Sequence, residues 1–270
     1  MTRLKTEWVE YMIDGMASYN QTLREKIGLD LAELAMRTFH MSQADFDRAR
    51  ECNRIAVVPI TQGEGIIGSF SESVAAIVSS MGFQAEVMSH TDIDGIYDGY
   101  LKGCNIFFFA DDIRYLALNT KTNRASDNNY ATALGFIEVL TALMEKHGKK
   151  IASQKILQIG HGVVGREAVQ ILEARGIDFD IYDKDEKALA GLTCRKLSDK
   201  EEIKNYKYIL DFTNEGGWLR KEYLAETILY ASPGVPYSME PEAEMRFEDK
   251  AVHDNLEIGT AIMLGEALQE

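Results

Sequence analysis

The stretch KILQIGHGVVGREAVQILEARGIDFDIYD, Lys155 to Asp183, decides the fold. Its apolar run Ile156 to Ile159 reads as a buried strand, and Gly160-His161-Gly162-Val163-Val164-Gly165 supplies a Gly-x-Gly-x-x-Gly turn. A helical pattern from Arg166 to Arg175 follows, then a second strand, Phe179 to Tyr182, which ends on Asp183. Strand, glycine turn, helix, strand and acid, in that order, are what a dinucleotide site requires. Gly160 permits the tight turn, Gly162 lets backbone approach a pyrophosphate, and Gly165 lets the helix close on the strand. The N–H groups at the helix start, around Val163, Val164 and Gly165, receive the phosphates. Asp183 stands 23 residues beyond Gly160, where a carboxylate accepts from both ribose hydroxyls and repels a 2′-phosphate. The expected cofactor is therefore NAD rather than NADP. Glycine turns between strand and helix also occur for packing alone, so the flanking strands and the acid carry the reading.

After Asp183 the pattern gives a short helix near Asp185 to Leu192, then the strand YKYILDFT, which ends at Thr213-Asn214. A helix LRKEYLAET leads to the strand ILYAS, which runs into Ser232-Pro233-Gly234. The strand AVHD and a terminal helix LEIGTAIMLGEAL follow. Ahead of the glycine turn, Leu4, Trp8, Tyr11 and Met12 recur at helical spacing and predict an amphipathic helix over about residues 5–26, with Trp8 and Tyr11 in the core. Asp30 and Ser42 cap two further helices. The run IAVVPI, a glycine-rich turn Thr61 to Phe70 and the helix SESVAAIVSSMG come next. Strand FQAEVM, helix DIDGIYDGYLKG and strand NIFFFA complete a second βαβ-type unit, ending at Asp111-Asp112. The segment IRYLALNTKTNRA reads as a polar surface loop, and Ser126 to Asn129 start a long helix. The expected fold is α/β: N-terminal helices with a small parallel α/β substrate domain over 1–150, then a Rossmann dinucleotide-binding domain with its C-terminal helix over 151–270.

Composition narrows the function classes. With 46% hydrophobic and 27% charged residues in 270, the chain is an ordinary globular protein. A net charge of −14 and no basic stripe exclude a nucleic-acid partner and suit a cationic small molecule. Three widely spaced cysteines, Cys52, Cys104 and Cys194, read as reduced thiols of a cytoplasmic protein. No apolar run reaches membrane-spanning length and the first residues lack a signal peptide's apolar region, so no membrane partner is expected. A homodimer stays open.

Ligands of open α/β sheets collect outside the carboxyl ends of strands. That rule selects the loop with Gln62 and Glu64, Asp111 and Asp112, the glycine turn, Asp183, Thr213, Asn214, Ser232, Pro233, Gly234 and Asp254. Thr213, Asn214 and the Ser-Pro-Gly turn are expected along the nicotinamide half of the cofactor, or else are plain strand-end turns. Asp111 follows the apolar run Ile106 to Phe109 and is either a helix cap or a ligand for a cation; Asp112 can supply the cap. Asp254 ends the last strand and is either a ligand or a cap of the terminal helix. His161 is expected to face solvent or phosphate, and the five histidines have no metal-ligand spacing.

With these residues in place, the chain resembles the pyrrolysine biosynthesis dehydrogenases. The similar stretches are VVPITQGEGIIGSFSESV, IFFFADDIRYLALN, IGHGVVG, IYDKD, YASPGVP and LEIGTAIM, in the family's order and over nearly the whole length. The chain departs from the family pattern at Gln62, where a small residue is expected, at Asp254, where Glu is expected, and in the helix start DNNYATA. The resemblance implies NAD-dependent oxidation of the terminal amine of L-lysine-Nε-(3R)-3-methyl-D-ornithine, ammonia release and closure of the pyrroline ring. It also implies substrate contacts from Leu4, Gln62, Asp111 and Asp254. Such a substrate carries about +2 net charge at neutral pH, which suits two strand-end acids. Asp111 is then the catalytic base or an ammonium anchor. Other readings are an NAD-linked dehydrogenase of the folate or imino-acid type, suggested by the SPGVP turn, and a non-catalytic NAD sensor.

Overall fold

A computed structural model describes residues 4–269. Packing divides them into two compact units: the first holds residues to Thr22, Leu29–Thr132 and Leu256 onward, and the second holds Leu23–Gly28 and Ala133–Asn255.

The first unit begins later as helix than the spacing predicts. Thr6–Trp8 form a single 3-10 turn, and helix α1 runs Met12–Ile27. Tyr11 sits at its edge, half exposed, and its hydroxyl donates to Glu257 at 2.6 Å, so it is a polar tie rather than a core residue. Helix α2, Leu31–Thr38, is fixed by a reciprocal capping box between Asp30 and Glu33. Ser42 accepts from the Asp45 N–H at the start of α3, Gln43–Cys52. Then come β1 (Arg54–Val57), α4 (Phe70–Ser80), β2 (Gln84–Val87), α5 (Asp92–Leu101) and β3 (Ile106–Ala110). Strands β2, β1 and β3 are parallel, as expected of a βαβαβ pattern.

Beyond β3 the expectation of a loop fails. IRYLALNTKTNRA folds into an antiparallel hairpin, β4 (Tyr115–Asn119) and β5 (Arg124–Asp127), so the sheet is mixed, in the order β2-β1-β3-β4-β5. The period of two was present: Tyr115, Ala117 and Asn119 are buried and Leu116 and Leu118 only half so. It was hidden because both faces carry apolar residues and the one buried polar residue, Asn119, reads as loop. In the fold Asn119 donates to the Ala267 carbonyl at 2.9 Å and receives the Lys121 N–H, which closes the turn.

Helix α6 spans Asn128–Lys146, and its first turn packs with the first unit while the rest packs with the second. The terminal helix α9, Glu257–Ala267, was expected with the dinucleotide domain and instead packs in the first unit, against α2, α4, β4 and β5. Small residues decide this. A Cβ on Gly265 would stand 2.7 Å from the Phe39 ring, so glycine lets α2 press flat on α9. Thr260 meets the buried Tyr115 hydroxyl at 2.9 Å, and Ser126 donates to Glu266 at 2.5 Å.

The second unit carries β6 (Ile156–Ile159), α7 (Val163–Ala174), β7 (Phe179–Tyr182), β8 (Tyr208–Asp211), β9 (Leu229–Ser232), α8 (Pro241–Phe247) and β10 (Ala251–His253). All five strands are parallel, in the order β10-β9-β8-β6-β7. The helix expected at LRKEYLAET is only a 3-10 turn, Lys221–Tyr223, while α8, begun by Pro241 at its first position, was not foreseen. Leu157, Ile159, Ile209, Tyr230 and Phe247 fill one face of this sheet.

Candidate functional sites

In the second unit the strand order reverses between β6 and β8, so the crevice of the doubly wound sheet opens where the glycine turn leaves β6. Each glycine there has a separate task. Gly160 has φ +85°, and its N–H bonds to the Tyr182 carbonyl at 2.8 Å. A Cβ on Gly165 would lie 2.3 Å from the Gly160 carbonyl oxygen, so only glycine lets α7 sit this close to the strand. Gly162 differs from both. Its φ of −72° suits any residue, and a Cβ there would meet nothing within 4 Å. Its lack of a side chain is unused by the protein's own packing, which is what a surface kept clear for a ligand's phosphates requires. The first turn of α7 also has no side-chain cap, so the N–H groups of Val163, Val164 and Gly165 have no side-chain acceptor at the Gly162 cap.

Asp183, just past β7, accepts the His161 N–H at 2.7 Å on one carboxylate oxygen and the Asp185 N–H at 2.9 Å on the other. These bonds hold the carboxylate against the glycine turn and leave lone pairs on both oxygens for ribose hydroxyls. The residues thus fit an adenine dinucleotide: clear backbone at Gly162, uncapped N–H groups and a fixed acid.

Gln158, in the middle of β6, escaped sequence reading. Its buried amide donates to the Gly160 carbonyl at 3.0 Å and the Gly165 carbonyl at 2.8 Å, clamping the two ends of the glycine turn. A lone polar residue in an otherwise apolar strand was the available signal. His161, expected at the solvent or phosphate side, is buried. Burial, followed by the nearby Arg166 charge, lowers its pKa, and its Nδ1 has no partner among the described residues.

The loops after β8 and β9 meet. A Cβ on Gly234 would come within 2.3 Å of the Thr213 carbonyl oxygen, so Gly234 is needed for their approach. The Thr213 hydroxyl faces inward: it donates to Asp211 at 2.7 Å and lies 2.9 Å from the Ser238 hydroxyl. Asp211 is fully buried, which pushes its carboxyl pKa up, and Tyr230 donates to it at 2.8 Å. Ser232, also buried, accepts the Gly234 N–H at 3.0 Å; Pro233 is half-buried and Asn214 exposed. His253 stands 2.8 Å from the Gly234 carbonyl and stacks on Tyr237; burial drives its pKa down to about 4, so the neutral ring bonds that carbonyl through an Nε2 proton. Asp254, buried, follows β10 in this unit.

The first unit has its own switch point, between β1 and β3. A shallow, open cleft lies at these strand ends, lined by Val57, Ile60, Ile66, Phe108, Asp111 and Tyr115 among others. Apolar side chains from β1, β3 and the glycine loop meet there beside two acids, Asp111 and Asp112. Asp111 was expected to choose between helix cap and ligand, and no helix follows it. Its Oδ1 accepts the N–H groups of Ile113 and Arg114, both at 2.7 Å, which shapes the β3–β4 turn. Asp112, the expected cap, instead accepts the Glu64 N–H at 2.6 Å and ties the glycine loop to the hairpin. Gln62 is exposed on that loop and lines no part of the cleft, while Leu4 is half-buried ahead of the 3-10 turn.

Residues 9–126 match the family described as pyrrolysine biosynthesis protein PylD, N-terminal domain. A pyrrolysine synthase of Methanosarcina acetivorans is 28% identical over 268 residues, 98% of each chain. One from Methanosarcina barkeri is 27% identical over 248 residues, 91% of this chain and 90% of the relative. Among solved structures, a bifunctional 5,10-methylenetetrahydrofolate dehydrogenase/cyclohydrolase from Thermoplasma acidophilum superposes with a TM-score of 0.53 at 12% identity, over 87% of this chain and 94% of that one. The last likeness is one of fold. The chain thus matches the PylD N-terminal domain family over residues 9–126, is similar to the pyrrolysine synthases over nearly its full length, and shares its fold with that dehydrogenase/cyclohydrolase.

Proposed function

We propose that this chain is an NAD-dependent dehydrogenase of pyrrolysine formation. Its substrate is L-lysine-Nε-(3R)-3-methyl-D-ornithine, oxidised at the terminal amine carbon of the ornithine part. The observation that carries the cofactor is Asp183, fixed by the His161 N–H beside a glycine turn whose Gly162 faces open space. The likeness to pyrrolysine synthases over 98% of the chain supports the substrate.

NAD, when bound, supplies the hydride acceptor. The uncapped start of α7 holds its phosphates, and Asp183 takes the ribose hydroxyls while repelling a 2′-phosphate. In the first unit, Asp111 has one oxygen committed to its turn and offers the other to a substrate ammonium. The apolar walls beside it reduce water's competition for that charge. A substrate amine gives up a proton before its carbon loses hydride, because the nitrogen lone pair becomes the imine bond. The α-amine of the ornithine part then attacks the imine, or the aldehyde from its hydrolysis. Nitrogen leaves as ammonia and the pyrroline C=N closes.

Mixing protein, NAD and this substrate should yield NADH and pyrrolysine in equal amounts. NADH formation only with a different amine or a folate would assign another dehydrogenase activity, and NAD binding without turnover of any of them would make the chain a sensor. Asp183→Ala should weaken NAD binding by about 1–3 kcal/mol, the scale of hydrogen bonds to a charged group, as measured by calorimetry. Equal use of NADH and NADPH by the wild type would remove Asp183 from the ribose.

A further inference from the structure

Helix α5 is built inside out. Its face toward the sheet is glycine. A Cβ on Gly95 would lie 2.4 Å from the His90 carbonyl oxygen and 2.7 Å from Val58, and one on Gly99 would lie 2.8 Å from the Phe107 ring and 2.9 Å from Ala56. The large apolar residues are on the opposite side, in solvent: Ile93 is 81% exposed, Ile96 39%, Tyr97 59%, Tyr100 71% and Leu101 64%. At 100° per residue they fall within an arc of about 140°. An amphipathic surface helix normally turns such a stripe inward and leaves its small or polar residues outside. Two glycines inside a helix also cost about 1 kcal/mol each against alanine.

We infer that this stripe is the two-fold interface of a homodimer, with α5 packed antiparallel on α5 of a second copy. At about 200 Å² for a side chain of this size, the five exposures amount to roughly 600 Å². That is the upper end of what an ordinary monomer leaves bare and supplies most of the ~800 Å² per subunit that a stable interface buries. The stripe is also self-complementary. Tyr97 lies at its midpoint, so a two-fold axis there sets Tyr97 on its own copy and Ile93 against the partner's Leu101. A lipid surface does not fit. Interfacial helices carry Lys and Arg on their polar face, whereas α5 carries Asp92, Asp94 and Asp98 in a chain of net charge −14.

Sedimentation of the full chain across micromolar concentrations tests this. The wild type should be a dimer, and Tyr97→Arg should raise the dissociation constant at least about 100-fold, as expected for a central interface aromatic, with an unchanged thermal melt. In a Cys52→Ser background, Tyr97→Cys should oxidise to a covalent dimer and Met245→Cys, more exposed but elsewhere, should not. A wild type that stays monomeric at all concentrations would overturn the inference and give the stripe to another protein or to the chain's own second unit. A dimer that survives Tyr97→Arg would place the interface on another face.

Discussion

Gly162→Val is expected to fold like the wild type and to lose at least about 100-fold in NAD affinity. Most glycines of a dinucleotide turn are poor probes because they serve the fold as well. Here Gly160 needs its φ of +85°, and Gly165 has backbone 2.3 Å from where a Cβ would stand, so substituting either damages the turn itself. Gly162 has an ordinary φ and open space beyond its Cα. A branched side chain there costs the protein only a helix-cap preference, on the order of 1 kcal/mol, but fills the space a pyrophosphate needs. Calorimetry with NAD, alongside a thermal melt, reads the two effects separately. Unchanged affinity in a folded variant would move the dinucleotide away from this turn. Lost affinity together with a collapsed melt would show that Gly162 has a packing role.

The second large effect is expected at Asp111. Asp111→Asn keeps an oxygen to accept the Ile113 and Arg114 N–H groups, so the β3–β4 turn survives while the charge is removed. If the other oxygen holds a substrate ammonium against the apolar ends of β1 and β3, kcat/KM should fall by about 2–4 kcal/mol, or roughly 30- to 1000-fold. NAD affinity should not change, since Asp111 belongs to the first unit and the glycine turn to the second. Asp112→Asn is the control. Its carboxylate ties Glu64 of the glycine loop, and the amide can keep that bond, so a small effect is expected. Near-wild-type turnover in Asp111→Asn would reduce Asp111 to a turn residue, and a large loss only in Asp112→Asn would give the anchor to its neighbour.

Local pattern and tertiary context divided this protein between them. The dinucleotide unit was readable because its physics is local. A strand, a turn that needs glycine, a helix and an acid lie within 29 consecutive residues, and their contacts, such as Asp183 with the His161 N–H, join positions close in the chain. The caps at Asp30 and Ser42 were readable for the same reason, since a cap bonds three residues ahead. Where the reading failed, the deciding partner was distant. Asn119 looks like loop until the Ala267 carbonyl, 148 positions away, takes its amide and pins β4 to the terminal helix. The terminal helix looked like the end of the dinucleotide domain until Gly265 met Phe39. Asp111 looked like a helix cap or a ligand, and only the turn geometry of Ile113 and Arg114 showed one oxygen bound to backbone. Gln158 as the clamp of the glycine turn, and the outward stripe of α5, are likewise tertiary facts. Periodicity tells which residues share a helix face, but only the packing of Gly95 and Gly99 on the sheet decides which face is left to the solvent.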